Sequence, residues 1–294
     1  MGTKMQKKKN YPISERLNSF RSWMVSEGYA ESSRKKYFSW IKDFLEHVSQ
    51  FDDEDAVRNY ITSLVEERGY SGKTVNCYMD AIKAFHKSKK LRIDLPRRHK
   101  RIEKLPVIYS DEILEDIIIP FAEDRKLFKN TDKAVAIFDF TFKTGLRRSE
   151  VIKIKRCQLD LENFQGYTYS SKGRRERVFY FDSKTRTRLK DYFLTEDEES
   201  NIFNLTAEGL YYYFARLRKK IKKQNMSYAE KFKQFSPHKM RMSIATSLYN
   251  NGATMEYIQG FLDHRDINTT KGYVKQSNED RKKIYLRIME GKGK

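Results

Sequence analysis

The sequence is poor in the residues that staple a fold covalently or through metal. Its 294 residues include two cysteines, five histidines and five prolines. Cys77 and Cys157 are too few for a disulfide framework or a cysteine-rich zinc site, and their apolar surroundings mark them as small core residues in a reducing compartment. No apolar run reaches the roughly 18–20 residues that span a bilayer, and the basic N-terminus is not followed by an apolar stretch. These features argue against a membrane protein and a secreted precursor and make a cytoplasmic location the expectation. There is no internal repeat, no cluster of metal ligands and no phosphate-cradling glycine-rich loop, so neither a metal nor another cofactor is expected. Acid is also scarce: 40 Asp and Glu stand against 60 Lys and Arg, a net charge of +20. Nucleic acid is the leading partner for such an excess, because each neutralised phosphate releases counterions. A solvated basic surface is the plainer alternative.

What is present can build cores. Apolar residues make up 38% of the chain and aromatics 14%, and the length favours two domains over one. Residues 1–10, with Lys4, Lys7, Lys8 and Lys9, read as a basic tail. From 11 to 91 the apolar spacing is helical. Leu17, Phe20 and Met24 mark a first helix, Tyr37 to Val48 a second, Val57, Ile61 and Leu64 a third, and Val75 to Phe85 a fourth; Gly28 and Gly69 stand as stop signals. Arg34, Lys35 and Lys36 open the second helix, while Lys73, Lys83 and Lys87 line the fourth. Two basic clusters on one bundle favour a shared anionic ligand.

Residues 92–106 read as a basic linker, with Pro96 and Pro106 opposing helix and Arg97 and Arg98 solvated or on phosphate. Beyond it, 107–294 form a second domain. Ser110 caps a DEILEDIII run, and a helix through 134–141 leads to a Thr-Gly-Leu-Arg stretch. Strands are expected at 167–171 and 176–181, joined by a turn at 172–175. Helices are expected from 206, its far end carrying Arg218, Lys219 and Lys220, and then at 237–250, 254–262 and 277–290. The fold class is mainly α, a helical bundle followed by a mostly helical domain with a small antiparallel sheet.

Five pieces of the second domain stand out in order: Thr144-Gly145-Leu146-Arg147-Arg148-Ser149-Glu150, Ser171-Lys172-Gly173, Pro237-His238-Lys239-Met240-Arg241, Leu262-Asp263-His264 and Thr269-Thr270-Lys271-Gly272-Tyr273. In this order and at these separations they resemble the tyrosine recombinase (phage integrase) family, in particular its compact Xer-type members. The resemblance covers the whole chain. It implies a core-binding domain and a catalytic domain that clamp duplex DNA, and a site-specific recombinase that cuts and rejoins strands through a 3′-phosphotyrosyl bond and a Holliday junction.

The roles it implies agree with the chemistry of the residues. Arg147 and Arg241 are planar forks matched to the non-bridging oxygens of a phosphoryl group in transfer. Glu150, three residues after Arg147, shares its helical side and is placed to hold it. By the family's register Arg147 and not Arg148 is catalytic. Lys172 takes the role of general acid toward the departing 5′ oxygen, its pKa depressed by the two arginines. His238 and His264 assist at the phosphate. Tyr273 is the nucleophile, and its covalent ester removes any need for ATP or metal; Tyr285 reads as packing. Asp263 stands where glycine is common, a carboxylate expected to slow the reaction or raise the pKa of His264, and Met242 stands where another histidine is common. The terminal helix 277–290 either folds back on its own domain or, as the resemblance implies, docks into a neighbouring protomer and couples cleavage around a tetramer on DNA, with an accessory protein as a further partner. A type IB topoisomerase, which reseals the original strand, and a non-catalytic DNA-binding descendant are the alternatives.

Overall fold

A computed structural model describes residues 12–100, 107–169, 176–193, 199–224, 226–264 and 266–273. They fall into two compact units, Met1–Glu103 and Lys104–Lys294. The basic tail at 1–10, the turn at 172–175 and the terminal helix at 277–290 lie outside the described residues. Among the described residues no helix is long and apolar enough to cross a membrane.

The first unit is a four-helix bundle of α1 (Ile13–Ser26), α2 (Glu31–His47), α3 (Glu54–Glu66) and α4 (Gly72–Ser88). Asp53 and Ser71 cap α3 and α4 by accepting from backbone N–H groups of their first turns. The apolar stripes meet around Phe20, Phe44 and Phe85, all fully buried, with edge-to-face rings 5.5 Å apart between Phe20 and Phe85. Over 92–100 the chain expected as a solvated linker lies instead against this bundle. Ile93 and Leu95 pack on its core, Asn76 exchanges two 3.0 Å hydrogen bonds with the backbone of His99, and Arg98 grips Asp80 through both Nη atoms at 2.8 and 3.0 Å.

In the second unit Ser110 does cap the expected run, which is α5 (Asp111–Ile113), a π-helical turn (Leu114–Ile118) and α6 (Ile119–Ala122). Next comes α7 (Thr131–Thr144), nearly all of it buried, and the four-residue α8 (Arg148–Val151). The sheet has three antiparallel strands in the order β1 (Leu159–Asp160), β2 (Gln165–Tyr169), β3 (Glu176–Tyr180). The short β1 escaped the sequence reading because two residues carry no alternation. Four longer helices, α9 (Ser183–Tyr192), α10 (Ala207–Gln224), α11 (Pro237–Asn250) and α12 (Met255–Leu262), precede α13 (Ile267–Tyr273). The central α7 packs against α9, α11 and α6, and its Phe140 meets Phe179 of β3 and Phe203 edge-on at 5.7 Å each. Of the two cysteines, Cys77 is half-buried, but Cys157 is exposed in a 3-10 turn (Arg156–Gln158) and so is not a core residue.

Because Phe140 is fully buried between helix and sheet, Phe140→Ala should lower unfolding stability by about 3–5 kcal/mol. The exposed Val178→Ala on the outer face of β3 should change it by less than about 0.5 kcal/mol in the same urea titration.

Candidate active site

The site is assembled at the end of α7, where the chain turns through Gly145 in the left-handed region (φ 56°). Glycine is needed there twice over, since a Cβ would also approach Ile244 and Phe261 to 3.0 Å. The turn delivers Arg147 as the N-cap of α8, and Glu150 answers from the third helical position. One Glu150 oxygen accepts from the Arg147 backbone N–H at 2.8 Å, and the other accepts from its guanidinium Nη1 at 2.8 Å. Glu150 is 1% exposed, so this is a buried anchor and not a surface pair.

Opposite lies the C-terminus of α12. Every helix ends in carbonyls that lack a partner within the helix. Asp263 caps α12 in the left-handed conformation (φ 51°, ψ 49°), and its N–H returns to Gly260 while the N–H of His264 returns to Gln259. The next three carbonyls each accept from a different arginine: Phe261 from Arg177, Leu262 from Arg241 and Asp263 from Arg147, the last at 2.8 Å. Arg241 also donates to the carbonyl of Gly145 at the end of α7. Its guanidinium, 2% exposed, thus sits on the negative ends of two helices.

The conformation of Asp263 explains why glycine suits this position, and Asp is among the few residues with side chains that tolerate it. Its carboxylate lies 3.4 Å from Arg147 Nη1. The expected upward tuning of His264 does not prevail. Burial, then Arg241, Arg147 and Arg177, outweigh Asp263 and push the imidazole down to about 4. His264 Nδ1 lies 3.0 Å from the buried Thr270 hydroxyl of α13. Were the hydroxyl to donate to Nδ1, the neutral ring would carry its proton on Nε2.

The structure therefore brings together four of the expected residues: Arg147, Glu150, Arg241 and His264. His238 is exposed in the first turn of α11, after Pro237 at the helix start, while Arg241 three residues on is buried. Tyr273 is the last residue of α13, which packs on α11 and α12, but its side chain lies outside the described residues, as does the whole of Lys172. Arg148 is exposed.

The cations expected on DNA differ in their surroundings. Lys36, Lys73, Lys83, Arg97 and Lys219 are exposed. Arg34 is half-buried and lines a cavity with Lys35, which pairs with Glu31 at 2.7 Å. Lys87 pairs with Glu27 at 3.3 Å and Lys220 with Asp124 at 3.4 Å, while Arg218 is half-buried. Arg98 is the most committed to a protein partner, through its two-pronged contact with Asp80. The sequence reading missed Arg177, although the alternation Glu176–Tyr180 places it on the inward side with Phe179.

With this geometry in place, the chain can be set beside known proteins. Residues 110–280 match the Phage integrase family and residues 17–92 match the phage integrase N-terminal SAM-like domain. The chain belongs to the phage integrase family. Among its relatives are the tyrosine recombinase XerA of Saccharolobus solfataricus, 26% identical over 92% of each chain, and XerC of Bacillus licheniformis, 25% identical over 89% of this chain and 91% of the relative. The fold is shared with the XerH site-specific recombinase bound to a palindromic difH substrate (TM-score 0.71, 17% identity, 94% of this chain and 84% of that one). It is also shared with the Tn1549 transposon integrase in complex with a circular intermediate DNA (TM-score 0.71, 18% identity, 92% and 99%).

The depressed imidazole makes a pH prediction. The unfolded chain takes up a proton on His264 near pH 6.5, whereas the native chain resists it until about pH 4. The contribution of His264 to stability is therefore complete above pH 6.5 and lost as pH falls from there toward 4. An NMR titration of the DNA-free protein should place its midpoint near 4, and Asp263→Asn, which removes a carboxylate that raises it, should move it lower still; a midpoint at 6.5 or above contradicts the arrangement.

Proposed function

We propose that this chain is a site-specific DNA recombinase that breaks and rejoins strands by phosphoryl transfer to Tyr273. The observation that carries the reading is the convergence of Arg147, Arg241 and His264 around the facing ends of α7 and α12. Donors already fixed in place stabilise developing charge without reorganising during the reaction. A scissile phosphodiester bound there would meet Arg147 and Arg241 through its non-bridging oxygens and His264 as a neutral donor. His238 would serve as a further phosphate contact or assist proton removal from the nucleophile.

The Tyr273 oxygen forms a bond to phosphorus as the bond to the 5′ oxygen breaks, and Lys172 supplies the proton that the departing oxygen needs. The 5′-hydroxyl of a second duplex then attacks the phosphotyrosine, releasing Tyr273 and joining the exchanged strand by way of a Holliday junction. The ester keeps the energy of the broken bond, so the cycle consumes no nucleotide. Duplex DNA would be bound by the exposed cations of both units, Lys36, Lys73, Lys83, Arg97 and Lys219 foremost. The active assembly is a tetramer on DNA, acting in the cytoplasm, with an accessory protein as a further partner.

Covalent trapping tests this. The protein is incubated with fragmented DNA of its source, denatured with detergent, and the attached DNA is sequenced, with Tyr273→Phe alongside. Adducts at one recurrent sequence, absent from the mutant, are expected. Scattered Tyr273-dependent adducts would point to a relaxing topoisomerase instead, and the absence of adducts in both would contradict the catalytic reading.

A further inference from the structure

We propose that Arg177 is a positioning residue of this site: its guanidinium holds one oxygen of the Glu150 carboxylate while the other oxygen holds the Arg147 guanidinium, ties Glu150 to the C-terminus of α12, and so fixes the catalytic fork. The inference rests on the recombinase reading and assigns a new residue to it. On β3 the burial alternates, and the two inward positions are Arg177 and Phe179. An inward position of a small sheet is ordinarily apolar, yet the Arg177 side chain is 4% exposed. Its Nη1 reaches Glu150 Oε2 at 3.1 Å, the same oxygen that accepts from the Arg147 backbone, and its Nη2 donates to the Phe261 carbonyl. Its Nε is buried with no hydrogen-bond partner among the described residues.

Such an arrangement is expensive for a merely structural residue. A buried unpartnered N–H costs about 1–3 kcal/mol, and well-packed apolar side chains often replace buried ion pairs without loss of stability. What Arg177 supplies and an apolar residue does not is placement and charge. Glu150 bridges two guanidiniums, one through each oxygen, so its carboxylate is oriented to receive the Arg147 fork. Arg147 pairs with Glu150 and Asp263 and Arg177 with Glu150, so the carboxylates temper the cluster of guanidiniums that a phosphodiester would meet. Arg177 also helps keep His264 neutral, as Arg241 and Arg147 do.

The test uses the full chain as Arg177→Gln and Arg177→Lys, with DNA carrying the recovered target sequence. Misplacing a catalytic group by about 1 Å costs on the order of 100-fold. Arg177→Gln should therefore form the Tyr273 adduct about 100-fold more slowly at unchanged DNA affinity, and its His264 midpoint should move up. Arg177→Lys keeps the charge but loses the fork; it should hold the wild-type His264 midpoint and lose only about tenfold in rate. Wild-type rates in both variants, or an unmoved His264 midpoint in Arg177→Gln, would overturn the proposal. If Arg177→Gln does not fold, Arg177→Lys decides, and a wild-type rate or a raised midpoint there is the contrary result. Should the wild-type protein form no adduct at all, the recombinase reading fails on its own, while the His264 titration, which needs no DNA, still tests the role of Arg177.

Discussion

Three consecutive carbonyls at the end of α12 each accept from a different arginine, and most of the site follows from that constraint. A helix C-terminus offers carbonyls without internal partners and carries partial negative charge, so it attracts cations. Here the left-handed turn at Asp263 ends the helix and directs its last carbonyls to Arg177 on β3, Arg241 on α11 and Arg147 at the start of α8. Guanidinium is suited to the task, because its several fixed donors allow one edge to bind protein while the fork keeps a defined direction. The arginines are thus oriented by backbone carbonyls, and Arg147 and Arg177 also by the Glu150 carboxylate.

Electrostatics and geometry reinforce each other at His264. Crowding by three guanidiniums is unfavourable without an anion, and the protein limits that cost through Glu150, Asp263 and the helix ends. It does not remove it entirely. The imidazole absorbs part of the imbalance by remaining neutral, with its Nδ1 against the Thr270 hydroxyl. A phosphodiester bound here would relieve the repulsion, which would link affinity for the anion to stability of the site.

Much of this was legible in the sequence, residue by residue. The i, i+3 spacing of Arg147 and Glu150 announced their contact, and the helical periods of both units placed α1–α4, α7, α10, α11 and α12 within a few residues. Asp263 was legible as a departure but not as a backbone requirement, because φ is not written in the residue type. The carbonyl cradle was invisible, since backbone acceptors leave no trace in the sequence. Arg177 was hidden among the cations of a hairpin, and only the alternation with Phe179 distinguished it. For Lys172 and the Tyr273 side chain, register within the motifs remains the ground for their assignment.

The most direct measurement is a crystal structure of the Tyr273→Phe protein bound to its target duplex. The account predicts one phosphate whose non-bridging oxygens lie about 2.7–3.0 Å from nitrogens of Arg147, Arg241 and His264 Nε2, with the three arginines still seated on the carbonyls of Phe261, Leu262 and Asp263. A duplex bound with its phosphates away from this cluster, or arginines that leave those carbonyls to reach it, would contradict the claim that the end of α12 builds the site in advance.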